Sequence, residues 1–181
     1  MNFIGAPGQP PRLVTYANPP PAGMVGAGEV VIGAAQIADY VISADGKTLT
    51  PAAPTLDQQK AATLAALDVI AQAKLSFWTG GLAPAGGLQV DDISTGRITS
   101  WATQALVCKA TGAAWGLPYW IMTDNSHRTF TGPDDFLTFA QAAETYKTAA
   151  VLQNSTLKGE INAAPDEAAL AAIDLSAGWP S

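Results

Sequence analysis

The chain has 181 residues, 48% of them hydrophobic and only 13% charged, so it can bury a core while its surface is left to Ala, Gly, Thr, Ser and Gln. A formal net charge of −6, with no cluster among the nine Lys and Arg, argues against nucleic acid as a partner. The single cysteine, Cys108, cannot close an internal disulfide, and no apolar run is long enough to span a membrane. The segment Met1-Asn2-Phe3-Ile4-Gly5-Ala6-Pro7 lacks the basic and apolar regions of a leader, so a soluble, unprocessed chain made in the cytosol is expected.

Residues 1–28 are punctuated by Pro7, Pro10-Pro11 and Pro19-Pro20-Pro21, interleaved with Gly5, Gly8, Gly23, Gly26 and Gly28. Proline lacks the amide donor and biases its predecessor toward extended geometry, which excludes helix here. Leu13-Val14-Thr15-Tyr16 is strand-like but too short to stand without a partner surface, so the segment is predicted to be an extended arm lying on something. A disordered linker is the alternative, although Phe3, Ile4, Leu13, Val14 and Tyr16 are more apolar than a solvated linker requires; these five, with Val30 and Ile32 beyond the segment, are the candidate docking residues.

Val30-Val31-Ile32 is a further strand-like run. Tyr40-Val41-Ile42-Ser43-Ala44, Asp45-Gly46 and Lys47-Thr48-Leu49-Thr50 predict a hairpin over 39–50, because Asp-Gly suits the positive φ angles of a tight turn. Pro51 and Pro54 end it. Residues 1–54 are therefore expected to form one region and 55–181 another.

Thr55 with Gln58 has capping-box spacing, and Leu56, Leu64, Leu67, Ile70, Ala71 and Leu75 recur at helical period, predicting a helix over 56–76. A Gly-rich loop over 80–87 delivers the chain into the strand Leu88-Gln89-Val90. Asp91-Asp92-Ile93-Ser94 then starts a helix over 93–110, with Ile93, Ile98 (or Arg97), Trp101, Ala105 and Cys108 expected on one face. Leu117 to Thr123 and Arg128 to Thr131 predict a second hairpin about the turn Asp124-Asn125-Ser126-His127. Gly132-Pro133-Asp134-Asp135 opens a long helix over 134–163, whose stripe of Phe136, Phe139, Ala140, Ala143, Tyr146, Ala150, Leu157 and Ile161 is a core face or a coiled-coil seam, the core being favoured. Pro165 separates it from a short helix over 166–173. The fold class is thus α+β, with an arm and hairpin before a mostly helical domain.

Catalytic constellations are not found. His127 is the only imidazole, and its neighbours Asp124 and Ser126 belong to the same tight turn, whereas the members of a hydrolytic triad converge from separate segments. One histidine and one cysteine do not make a zinc site. The pairs Asp91-Asp92 and Asp134-Asp135 sit where helices begin, and helix capping accounts for them better than carboxylate chemistry. No Gly-Lys-Ser/Thr phosphate loop occurs. Trp78, Trp101, Trp115, Trp120 and Trp179 lie among apolar neighbours and are expected in the core, as is Cys108. The expectation is a protein that is not an enzyme, with no cofactor and no metal. A carboxylate-based hydrolase is the least favoured alternative.

The order of elements over about 60–180 carries a resemblance. Gly87-Leu88-Gln89-Val90-Asp91-Asp92, the helix with Ser94, Arg97 and Ile98, Tyr119-Trp120-Ile121-Met122-Thr123-Asp124-Asn125, the long Ala/Gln helix and the closing Gly178-Trp179-Pro180 together resemble an uncharacterised domain family found near the C-terminus of bacteriophage and prophage tail fibre and tail proteins. The resemblance implies a place, the virion tail, rather than a reaction. Its expected partners are other tail, fibre or baseplate proteins, with neither nucleic acid nor membrane. The repeating symmetry of phage tails makes a homo-oligomer, such as a homotrimer, the expected assembly. The arm and first hairpin lie outside the match, so a small adaptor that adds strands to a neighbour's sheet edge is expected. A fibre-assembly chaperone that leaves the particle is the alternative.

Overall fold

Runs of β-branched and aromatic residues form short strands and Ala-rich periodic runs form helices in a computed structural model, which describes residues 2–6, 8, 12–14, 27, 30–33, 40–42, 44, 49–51, 53–79, 83–117 and 119–181. The fold is α+β, in two units, Met1–Thr55 and Leu56–Ser181.

In the first unit β1 (Asn2–Gly5) pairs antiparallel with both β2 (Arg12–Val14) and β3 (Val30–Gly33), in the order β2-β1-β3. Two segments of the predicted arm thus pair with each other, and the first of them also with Val30–Gly33. Gly8, with φ of 78°, lies between β1 and β2, where a left-handed residue helps to reverse the chain. A separate hairpin joins β4 (Tyr40–Ile42) to β5 (Leu49–Pro51), with Tyr40 opposite Pro51. Its expected Asp45-Gly46 turn lies outside the described residues, as do the Pro19 to Pro21 run and Tyr16.

The second unit is organised along one helix. α1 (Leu56–Ser76), α2 (Asp92–Thr111), α3 (Pro133–Ala163) and α4 (Glu167–Ala171) are its helices, and α3 has 31 residues, about 46 Å at 1.5 Å per residue. α1 runs antiparallel to the second half of α3: the Lys60 ammonium donates to Asn162 O at 2.9 Å, Lys158 pairs with Asp68 at 2.8 Å, and the Tyr146 hydroxyl donates to Lys74 O at 3.1 Å. α2 runs antiparallel to the first half, with Lys109 paired to Asp134 and Lys147 to Asp92 at 3.2 Å. Two shorter helices therefore lie in sequence along one long one.

The predicted stripe on α3 is a core face. Phe136, Phe139, Ala140, Ala143, Tyr146, Ala150, Leu157 and Ile161 are all buried. As far as Ala150 they enter a cluster with Trp78, Leu88, Val90, Ile98, Met122 and Phe130, while Leu157 and Ile161 pack with Leu67, Ala164 and Leu170. Trp179 touches both clusters.

α2 corrects one expectation. Ile93 is 71% exposed, and the buried positions are Ser94, Ile98, Ala105 and Cys108, with Trp101 and Ala102 half-buried. The Asp91 side chain caps the helix through Ser94 N, and the register counted from Ser94 puts positions 98, 101, 105 and 108 on one face, with Ile93 about 100° away.

Candidate functional site

The short strands of the second unit converge beside the start of α2. β6 (Phe77–Trp78) pairs with β7 (Leu88–Gln89), and β8 (Trp120–Ile121) with β9 (His127–Arg128). β6 is a strand that sequence reasoning did not assign. Its two residues follow α1 directly, and only the pairing with β7 across the Gly-rich loop makes them extended.

That loop docks on the β8–β9 turn. Gly86 and Gly87 have φ of 87° and 70°, and a Cβ on Gly86 would lie 2.5 Å from Ser126 Oγ and 2.6 Å from Asp124 Oδ1. Glycine alone allows this approach. Asp124 N then donates to Gly86 O at 3.1 Å and Thr123 N to Gly87 O at 3.2 Å. The turn is closed by Met122 N donating to Ser126 O at 2.9 Å, with Asn125 left-handed at φ 65°. The segments Gly87 to Asp92 and Tyr119 to Asn125, distant in sequence, are thereby bonded together.

Between them lies a cleft of about 320 Å³ whose lining includes Gln89, Ser94, Arg97, Tyr119, Thr123 and Asn125. Whereas Lys109, Arg128, Lys147 and Lys158 each pair with a carboxylate, the exposed Arg97 side chain, like that of Lys74, makes neither a hydrogen bond nor an ion pair among the described residues. Thr123 Oγ1 is buried and has no hydrogen-bond partner among them. Tyr119 is half-exposed and stacks on His127 at 4.1 Å. The flanking carboxylates are engaged locally. The Ser94 amide, helped by the Ser94 hydroxyl, holds Asp91 below the usual carboxylate range, and the Ser126 hydroxyl and amide do the same for Asp124.

The candidate residues singled out from the sequence fall as follows. Phe3, Leu13 and Ile32 share one rung of the first sheet, Ile4 pairs with Arg12 and Val31, Val14 with Asn2, and Val30 with Gly5. Tyr16 lies outside the described residues. His127 is exposed, and Asp124 Oδ1 accepts the Ser126 amide at 2.8 Å. Asp91 is a cap, as its position indicated, but its neighbour Asp92 pairs with Lys147. Asp134 and Asp135 differ from the capping expectation: the α3 cap is Gly132 without a side-chain bond, Asp134 pairs with Lys109, and Asp135 accepts from Arg128 at 3.4 Å and from Thr131 N at 3.1 Å. Both carboxylates still stand in the first turn of α3, where the helix dipole favours them, and Asp135 reaches back to the Thr131 amide ahead of the helix. Cys108 is buried, and the tryptophans pack in or against the core. Among the described residues no group of three His, Cys, Asp or Glu could hold a metal ion, and no helix is long and apolar enough to cross a membrane.

Residues 57–177 match the family model described as a domain of unknown function (DUF4376). The chain belongs to the DUF4376 family. The DUF4376 domain takes in nearly all of the second unit, including the cleft, and leaves β1 to β5 outside it. No curated protein and no solved structure matches the chain.

Arg97 and Tyr119 as cleft residues escaped the sequence reading, although both stand in the segments that carry the resemblance. The available signal was that polar and aromatic side chains crowd short strands and a helix start where core packing does not require them.

Proposed function

We propose that the chain is a structural component of a bacteriophage tail, in the fibre, its attachment or the baseplate, working by docking onto other tail proteins. The resemblance of residues 60–180 to tail-protein domains supports the place. The observation that carries the docking role is the outward side of α1, where Ala61, Ala62, Ala65, Ala66, Val69 and Ala73 are exposed, Val69 at 71%. The nearby charge of Asp68 is already paired with Lys158. An apolar stripe of small side chains lets another backbone approach closely and has little to gain from water. The outer edges of β2 and β3 have no strand partner among the described residues, which suits addition of a neighbour's strand.

Quantitative mass spectrometry of purified particles tests this reading. Stoichiometric presence is expected. Its absence from finished particles, with the protein bound to fibres during their assembly, would replace the structural role with that of an assembly chaperone.

A further inference from the structure

We propose that the cleft between β7, the start of α2 and the β8–β9 hairpin binds a small hydroxylated monocarboxylate, the size of one acidic sugar ring, with Arg97 holding the carboxylate. This goes beyond docking and does not depend on the tail assignment.

Charge selects the anion. Lys109, Arg128, Lys147 and Lys158 are each matched by a carboxylate, whereas the Arg97 guanidinium lines a cleft with no partner among the described residues. A planar guanidinium offers two parallel donors to a carboxylate. One unmatched positive charge suits a monoanion.

The rest of the lining selects hydroxyls. The Gln89 and Asn125 side-chain amides that line it each donate and accept, as a hydroxyl does. Tyr119, its ring stacked on His127, presents an apolar face of the kind that packs on the C–H groups of a sugar. The size suits a single ring, since 320 Å³ is at the lower end of the roughly 300–1,000 Å³ of small-molecule sites.

The test is an amide-resolved NMR titration of the full chain with D-glucuronate, D-galacturonate, N-acetylneuraminate, D-glucose and acetate. At least one acidic sugar should shift the Gln89, Thr123 and Asn125 amides saturably, with glucose and acetate weaker by roughly tenfold or more. Arg97→Gln should weaken that sugar by roughly tenfold or more, and Gln89→Ala by less. Because the exposed Arg97 side chain makes no bond among the described residues, its variant should melt with the parent, so lost binding would report the site. The proposal is overturned if no acidic sugar shifts these amides, if the shifts persist undiminished in Arg97→Gln, or if acetate or glucose binds as tightly.

Discussion

The two halves of α3 bury the same kind of stripe in different company. From Phe136 to Ala150 the partners are aromatic: Phe136 alone has ring centroids of Phe130 at 4.9 Å, Trp115 at 5.4 Å, Phe139 at 5.7 Å and Trp120 at 6.2 Å. From Leu157 onward they are mainly aliphatic, supplied by α1, α4 and the segment after α3, with Trp179 shared between the two clusters. Large flat side chains fill the irregular space beneath two hairpins, whereas Leu, Ile and Ala suffice where helix lies on helix. The aromatic half therefore holds the strands and the cleft, and the aliphatic half holds the helices alone.

The largest expected effect comes from removing the centre of the aromatic half. Phe136→Ala should cost about 3–5 kcal/mol in denaturant unfolding and abolish much of the near-UV circular dichroism, because every ring around it loses a neighbour. Leu67→Ala, fully buried in the aliphatic half, should cost about 2–5 kcal/mol and leave the near-UV signal of the folded state nearly intact. If Leu67→Ala erased that signal equally, the halves would not be separable in the way their packing indicates.

At the joint between the halves, Tyr146 and Lys147 tie the end of α1 to the start of α2. The Lys147 ammonium donates to Leu75 O at 3.2 Å, to Val90 O and to Asp92 at 3.2 Å. The Tyr146 hydroxyl reaches Lys74 O and Phe77 O, and burial pushes it above the usual phenol range. Lys147→Met keeps the stem but leaves those carbonyls without their donor, and should cost about 1–3 kcal/mol. Hydrogen exchange should quicken first at β6 and β7. Uniform quickening along α3 instead would place the joint elsewhere.

Much of this was legible from the residues. Helical period located α1, α2 and α3 within a residue or so at each end, and the α3 stripe named the buried positions because one long helix repeats its signal many times over. β1 and β6 were illegible for a physical reason. Phe77-Trp78 and Asn2 to Gly5 are too short to show alternation, and what makes them strands is a partner that lies elsewhere in the chain. The cleft was half legible. Its two walls stood out as segments, but their meeting rests on Gly86 and Gly87 docking a turn, which composition does not announce. Ile93 was misplaced because apolarity was trusted over the register set by the Asp91 cap.

That cap supplies the smallest effect and the one with a pH signature. Asp91 accepts the Ser94 amide at 2.8 Å and the Ser94 hydroxyl at 3.1 Å, and these bonds hold its folded pKa below the usual carboxylate range. A carboxylate depressed in this way contributes stability that is present above its unfolded pKa and lost as pH falls through the lower, folded value. Asp91→Ala should cost about 1 kcal/mol near neutral pH, a typical capping loss. The gap between parent and variant should narrow once pH drops below about 4, since protonation weakens the parent's cap while the variant has none to lose. Asp91→Asn, able to accept but uncharged, should retain part of the neutral-pH stability and show the flatter acid profile. A gap independent of pH would assign the loss to packing at the start of α2 rather than to the charged cap, and the cleft wall would then owe its register to Ile98 and Trp101 instead.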